Sequence, residues 1–227
     1  MIGLLCLLVT LGIYAVSKRV YAKQRKVYLS PLLVTPTIVI FILIWAKIPY
    51  ETFNDGGKWL SSLLQPATVA FAVPLYKNFK VLKKHAVVII VSVLTGSCIA
   101  MISSALLAKW MHLSSSLVTS MVPRSVTTPI AMNVSQDIGG VPNITAVFVI
   151  MTGLIGSSLV GPMVLRMFKI ENDIARGILF GTSSHGTGTS KAFELSSLSG
   201  TISSISMILA ALFTLGAAPL MMTLILH

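Results

Sequence analysis

The sequence contains few charged residues. Only 10% of its 227 residues are Asp, Glu, Lys or Arg, whereas these make up about a quarter of an ordinary soluble domain. Acidic residues are the scarcest, with 6 against 17 basic ones, while 55% of the chain is hydrophobic. The mean hydropathy of +0.89 excludes an ordinary soluble domain and is typical of a protein that crosses a membrane several times.

The sequence also lacks the common patterns of catalytic and metal sites. Cys6 and Cys98 fall inside apolar segments without metal-ligand spacing, and the four histidines are dispersed. There is no Gly-x-Ser-x-Gly, and residues 181–194 miss the Gly-Lys-Ser/Thr of a phosphate-binding loop. We therefore expect no enzymatic activity, no disulfide, no metal and no cofactor.

The net charge of +11 does not predict nucleic-acid binding. The basic residues lie in short loops beside apolar segments, where lysine and arginine set the topology of a membrane protein. The first apolar segment is followed by basic residues, which is the reverse of a signal peptide. We expect it to remain in the protein as the first helix.

The apolar segments predict an all-α polytopic membrane protein with seven to eight transmembrane helices in a single domain over residues 1–227. A transmembrane helix needs about 20 predominantly apolar residues. The candidate segments are 2–16, 30–46, 58–76, 86–108, 113–136, 142–164, 177–197 and 201–225.

The basic clusters predict the topology. The loop over 18–26 and the lysines of 77–84 should face the cytoplasm, and Asn54-Asp55-Gly56-Gly57 predicts a turn outside. Segment 113–136 is ambiguous because it contains Pro123, Arg124 and Pro129. A full crossing places the basic loop at 166–176 outside, against the charge rule, whereas a re-entrant hairpin agrees with every cluster and gives seven crossings. The hairpin is slightly favoured.

A candidate internal repeat has an offset of 57 residues, which separates Thr95-Gly96 from Thr152-Gly153. Small residues at four-residue spacing let membrane helices approach closely, although such residues are common in any membrane helix and chance alignment is the alternative. The three small-residue faces are Gly96, Ala100, Ser104; Gly153, Ser157, Gly161; and Ala210, Thr214, Ala218.

Three polar segments interrupt the apolar pattern, near 65–78, 123–133 and 181–194. Proline and glycine loosen a helix, and the freed backbone groups find no partner in lipid. Such backbone is tolerated only against protein or a wet cavity. We therefore expect the three breaks to line one cavity, as in transporters built from repeats.

Arg124 is the strongest candidate for a binding residue. A charge at membrane depth costs at least about 2.5 to 3.5 kcal/mol, and guanidinium offers a planar fork that matches a carboxylate. The predicted substrate is a small organic anion. The alternative is an arginine that reaches the interface or pairs with Asp137 or Glu194. The candidate substrate-binding residues are Arg124, Ser125, Thr127, Thr128, Asn133, Thr68, Ser184, His185, Thr187 and Thr189.

His185 and Glu194 are candidates for proton coupling. Histidine titrates near neutrality, so His185 could move a proton with the substrate, or it could simply form a hydrogen bond with a hydroxyl. Lys191 and Glu194 are three residues apart and could pair on a helix.

The whole chain resembles the LrgB/CidB family of bacterial membrane proteins, closest to its CidB-like, holin-like branch. The resemblance rests on four motifs: Asn54-Asp55-Gly56-Gly57-Lys58; residues 66–78; Pro123-Arg124-Ser125-Val126-Thr127 with Gly139-Gly140; and Ser184-His185 followed by Gly188-Thr189. It implies a multi-pass protein of the bacterial inner membrane, paired with a smaller LrgA/CidA-type holin-like protein. The family's older assignment is control of murein hydrolase activity and cell lysis by a holin or antiholin mechanism. A later assignment is transport of small carboxylates, and the plastidial glycolate/glycerate transporter is similar to the two bacterial proteins fused.

Two functional hypotheses follow. The first is a transporter or facilitator of small carboxylates of the pyruvate, lactate or glycolate type, working with an LrgA/CidA-type partner. The alternative is a holin/antiholin-like regulator of murein hydrolases. A transporter needs Arg124, whereas an assembling holin depends more on the small-residue faces, and we expect a homo-oligomer in the bilayer.

Overall fold

The computed structural model describes residues 2–24, 29–63, 66, 69, 72–77 and 79–226, and over these residues the chain is helical without any strand. This agrees with the predicted all-α class. The helices are α1 (Ile2–Gln24), α2 (Pro31–Trp45), α3 (Tyr50–Ser62), α4 (Ala72–Lys77), α5 (Phe79–Trp110), α6 (Ser115–Met121), α7 (Thr128–Asp137), α8 (Pro142–Met167), α9 (Asp173–Leu195) and α10 (Ser197–Leu226).

The chain divides into two compact units, Met1–Ala72 and Val73–His227. In the first unit, α1 packs against α2 and α3. The backbones of α1 and α3 approach closely, since a Cβ added to Gly56 would meet the Gly3 carbonyl. The first unit is therefore a small helical cluster that depends on glycine at its contact.

Two predictions about the first unit are wrong. The turn predicted at 54–57 lies inside α3, where Asp55 and Lys58 form an ion pair at 2.9 Å. The glycine at position 56 does not form a turn, because the close contact between α1 and α3 requires it within the helix. The basic loop predicted at 18–26 is also wrong at its start, because residues 18–24 belong to α1, which ends at Gln24.

In the second unit, α10 forms the centre. It packs along α9 and also against α5 and α7. One buried apolar cluster joins α5, α7, α8 and α10, and a second joins α5, α6, α7 and α10. The core includes small side chains such as Ala105, Ala108, Ala131 and Ala218, as expected where membrane helices pack closely.

Four helices are long and apolar enough to span a bilayer in the described part of the chain: Ile2–Gln24, Phe79–Trp110, Pro142–Met167 and Ser197–Thr223. They contain the predicted segments 2–16, 86–108 and 142–164 and most of 201–225. Helix α2 is apolar but shorter. The middle of segment 58–76 lies mostly outside the described residues. The count of seven to eight crossings and the internal repeat stay predictions.

Candidate functional site

The break predicted near 123–133 separates α6 from α7, and it is called the first break because it comes first within the described residues. Segment 113–136 is not one helix, because residues 122–127 lie between Met121 and Thr128. Within the break the Arg124 N–H donates to the Met121 carbonyl at 3.3 Å, and the Val126 N–H donates to the Pro123 carbonyl at 3.2 Å. Val122 and Val126 are buried and hold both ends of the break in the core. The predicted break is confirmed at its predicted place.

The Arg124 side chain is half-buried and reaches α5. Its Nε–H donates to Ser104 Oγ at 2.8 Å, and the Ser104 hydroxyl donates to the Ala100 carbonyl at 2.5 Å. The ion pairs of the described residues do not include Arg124. The alternative that Arg124 pairs with Asp137 or Glu194 is therefore not found, and its two Nη groups make no hydrogen bond within the described structure.

The hydroxyl residues beside Arg124 are only partly buried. Ser125 and Thr127 lie in the break and Thr128 begins α7. The side chain of Thr127 makes no capping hydrogen bond. Asn133 is exposed on α7 and is not brought into the core. Thr68 lies outside the described residues.

A glycine turn fixes α6 and α7 to α8. Gly139 has a φ of 80°, which glycine adopts without a steric penalty. A Cβ on Gly140 would lie 2.9 Å from the Ser120 N. The Ser120 hydroxyl accepts from the Val141 N–H at 2.8 Å. The end of α6 beside the break is therefore held by polar contacts to the turn that joins α7 to α8.

The second helix break lies inside α9, at Ser184 and His185. Ser184 has φ −137° and ψ 18°, and His185 has φ 40° and ψ −132°. A positive φ is uncommon for any residue other than glycine. His185 is 7% exposed, and its Nε2 lies 3.0 Å from the Val149 carbonyl oxygen. Because a carbonyl only accepts, Nε2 carries the proton and donates to Val149.

The glycines of α8 make room for this break. A Cβ on Gly153 would lie 2.6 Å from His185 Nε2 and 2.5 Å from Thr187 Oγ1. A Cβ on Gly156 would collide with the Ser184 hydroxyl, and Gly156 also begins a π-helical turn that extends to Val160. The predicted small-residue face of 153–161 is therefore the surface that α9 packs against.

A second set of hydroxyls covers the other side of the break. Thr189 Oγ1 donates to the His185 carbonyl at 3.1 Å and lies 3.0 Å from Ser203 Oγ, which is on α10. Because Thr189 has one hydroxyl proton, Ser203 donates to Thr189. The candidate residues predicted from the sequence do not include this wall of α10, although five hydroxyl residues stand in an otherwise apolar segment. They are all buried: Ser199, Thr201, Ser203, Ser204 and Ser206.

Glu194 lies at the exposed end of α9. It forms the predicted ion pair with Lys191, at 2.6 Å. Nine residues of helix separate Glu194 from His185, which corresponds to about 14 Å at 1.5 Å per residue. The structure thus brings together Ser184, His185, Thr187 and Thr189, and leaves Glu194 apart from them.

The two breaks share a hydrophobic cluster. It contains Val126 from the first break and Val149, whose carbonyl accepts from His185. A cavity of about 10 Å³ adjoins the first break, with Ser97, Pro123 and Ser125 among its lining residues and none from 181–194. Its volume suits a single water molecule. A ligand cavity shared by Arg124 and His185 stays a prediction.

Comparisons with known proteins match nearly the whole chain to one family. The model of the LrgB-like family matches residues 10–224. The uncharacterized protein YwbG of Bacillus subtilis (strain 168) is 61% identical over 98% of this chain and 98% of its own length. The holin-like protein CidB is 38% identical in Staphylococcus epidermidis (strain ATCC 12228 / FDA PCI 1200) and 37% in Staphylococcus aureus (strain N315). Each alignment covers 98% of this chain and 96% of the relative. No solved structure matches the chain.

Proposed function

The chain belongs to the LrgB-like family, and on this premise we propose that it is a holin-like protein of the bacterial cell membrane. The observation that carries the proposal is the alignment with proteins named holin-like CidB over 98% of this chain. In this role the chain is a multi-pass inner-membrane protein. It assembles with copies of itself and with an LrgA/CidA-type partner, and it controls when murein hydrolases reach the cell wall.

The packing around the glycines limits which helix face can form an interface between two copies of the chain. The faces at 153–161 and 210–218 are largely buried within the second unit. Gly96 differs, because a Cβ added there would meet nothing within 4 Å. Among the three small-residue faces, the Gly96 end of the first supports assembly best, whereas its Ser104 end is buried within the unit.

Replacing Gly96 tests the holin-like function. We expect Gly96→Leu to leave the fold intact, to reduce chemical crosslinking between copies, and to reduce the release of murein hydrolase activity from cells that express the chain with its partner. Gly216→Leu is the matched control, since a Cβ at Gly216 also meets nothing within 4 Å. Equal crosslinking and equal release in all three proteins would rule out assembly through the Gly96 face. Wild-type cells that behave like cells without the chain would rule out the holin-like function.

A second candidate function is favoured by Arg124. The half-buried guanidinium has no carboxylate partner in the described part of the chain and keeps both Nη groups available. It lies within a helix break and precedes the start of α7, which has no side-chain cap and where the helix dipole also favours an anion. This arrangement supports a facilitator of small carboxylates such as pyruvate, lactate or glycolate, in which His185 is the candidate for handling a proton.

Uptake into proteoliposomes tests the second candidate. We expect labelled pyruvate to enter vesicles that contain the wild type and the LrgA/CidA-type partner. Arg124→Gln should lower the initial rate at least about tenfold, because it removes a bidentate, charge-assisted contact. Lys109→Gln, on the same unit, is the control for a general loss of positive charge. Wild-type uptake equal to that of empty vesicles would exclude this function and leave the holin-like one.

A further inference from the structure

The guanidinium of Arg124 can present two different edges to an anion. Arginine has five N–H donors in a fixed planar fork. A carboxylate binds in bidentate fashion either to the side edge, formed by Nε and one Nη, or to the end edge, formed by both Nη groups. Which edge is available depends on what Nε contacts.

In this structure Nε is already occupied by Ser104. The single proton of the Ser104 hydroxyl is donated to the Ala100 carbonyl at 2.5 Å, so Oγ is left as an acceptor for the Arg124 Nε–H at 2.8 Å. Ser104 is 2% exposed, and both it and Ala100 lie in the part of α5 that follows a kink at His85. The acceptor is therefore fixed in both position and polarity.

We propose that Ser104 is the positioning residue of Arg124 and reserves the Nη1/Nη2 edge for end-on binding of a two-oxygen anion, the carboxylate of a small solute. This inference rests on the second proposed function. The side edge is blocked, so the anion lies in the guanidinium plane beyond the two Nη atoms. Arg124 is the one charged residue of the break at residues 122–127, and a single positive charge fits a monoanion better than a dianion.

Positioning has a measurable consequence for binding. Without Ser104 the guanidinium rotates about its last side-chain bonds, and binding must order it again. Ordering a long side chain weakens affinity by about threefold to tenfold. We therefore expect Ser104→Ala to raise the KM for pyruvate by about that factor while the maximal rate changes less than about twofold.

The first measurement follows the Arg124 Nε–H directly, without any transport. The full chain is labelled with ¹⁵N at arginine and purified in a maltoside detergent that contains no phosphate. The Arg124 signal is the one that disappears in Arg124→Lys. Ser104→Ala should speed hydrogen exchange at Nε about tenfold, as expected for loss of a hydrogen bond to a charged group. Ser104→Thr, which keeps the hydroxyl, should restore slow exchange. Ser103→Ala is the matched control, because Ser103 is exposed on the same helix and bonds only the Ala100 carbonyl.

The second measurement is pyruvate saturation in proteoliposomes and pyruvate binding in the same detergent. A higher KM in Ser104→Ala, with rescue by Ser104→Thr and no change in Ser103→Ala, supports the inference. Unchanged exchange at Nε in Ser104→Ala would overturn it, even if uptake falls. Wild-type protein that binds no pyruvate would instead exclude the carboxylate function, while the exchange rates still decide whether Ser104 holds Arg124. If an anionic lipid, and not pyruvate, binds at the Nη edge, the edge is assigned to a lipid phosphate and the proposal of a solute ligand is overturned.

Discussion

The two helix breaks of the second unit differ in what their polar groups contact. At the break in α9, the side chain of His185 donates to Val149, its carbonyl accepts from Thr189, and the glycines of α8 leave only the space that it occupies. At the break between α6 and α7, the side chain of Arg124 makes one hydrogen bond within the described residues, from Nε to Ser104. The polar groups of His185 are therefore paired within the chain, whereas the Nη groups of Arg124 are left to bind another group.

The more polar segment is therefore not the better candidate for a binding site. Residues 181–194 contain more hydroxyls than the Arg124 break, but Ser184, His185 and Thr189 are buried and bonded within the chain. Buried polar groups in a membrane protein need such partners whether or not they bind a ligand. A charged side chain without a carboxylate partner in the described residues distinguishes the Arg124 break, and polarity does not.

The largest effect should come from filling the space beside His185. Gly153→Val would place a Cβ 2.6 Å from Nε2, and overpacking of this kind costs typically about 1 to 3 kcal/mol. We expect a lower midpoint of thermal unfolding for the purified protein in detergent. Gly216→Val is the control, since nothing lies within 4 Å of a Cβ there. Equal midpoints for the two variants would mean that the break in α9 is not closed as described.

A smaller effect should come from His185 itself. His185→Ala and His185→Gly both lose the hydrogen bond to Val149, but glycine accepts the positive φ of 40° without strain. We expect the glycine variant to be more stable than the alanine variant by about 1 kcal/mol, whereas alanine is the better residue in an ordinary helix by a similar amount. The same pair at Ser183, which is exposed on α9, should show the ordinary order. An alanine advantage at both positions would argue that the backbone of His185 is not strained.

The smallest effect should come from the exposed end of α9. Glu194→Gln breaks the ion pair with Lys191, and pairs of this kind contribute about 0.2 to 1 kcal/mol. We expect the midpoint of unfolding to change little, and less at high salt. A large loss of stability would show that Glu194 has a contact beyond Lys191 and is not confined to the exposed end of α9.

The helical class and both described breaks could be predicted from the sequence. Apolar length predicts helices directly, and Pro123 and Pro129 remove backbone donors at fixed positions. Arg124 could be selected because a charge inside an apolar segment is costly unless it has a role. These signals are local, so no partner needs to be known.

Partners and close contacts could not be predicted. Ser104 counted only as a small residue of one helix face, and its contact with Arg124 joins residues 20 positions apart. The turn predicted at 54–57 was wrong because the distant contact between Gly3 and Gly56 decides the local structure. The hydroxyl wall of α10 was missed since its members read as ordinary small residues of a membrane helix.

The close contact between α8 and the break in α9 has a consequence for how the sequence can change. A side chain at position 153 and the histidine at position 185 require the same space. A substitution at either position therefore alters which residues the other can hold. Among relatives the two positions should vary as a pair, with the histidine kept wherever position 153 is glycine and replaced by a smaller residue wherever it is not.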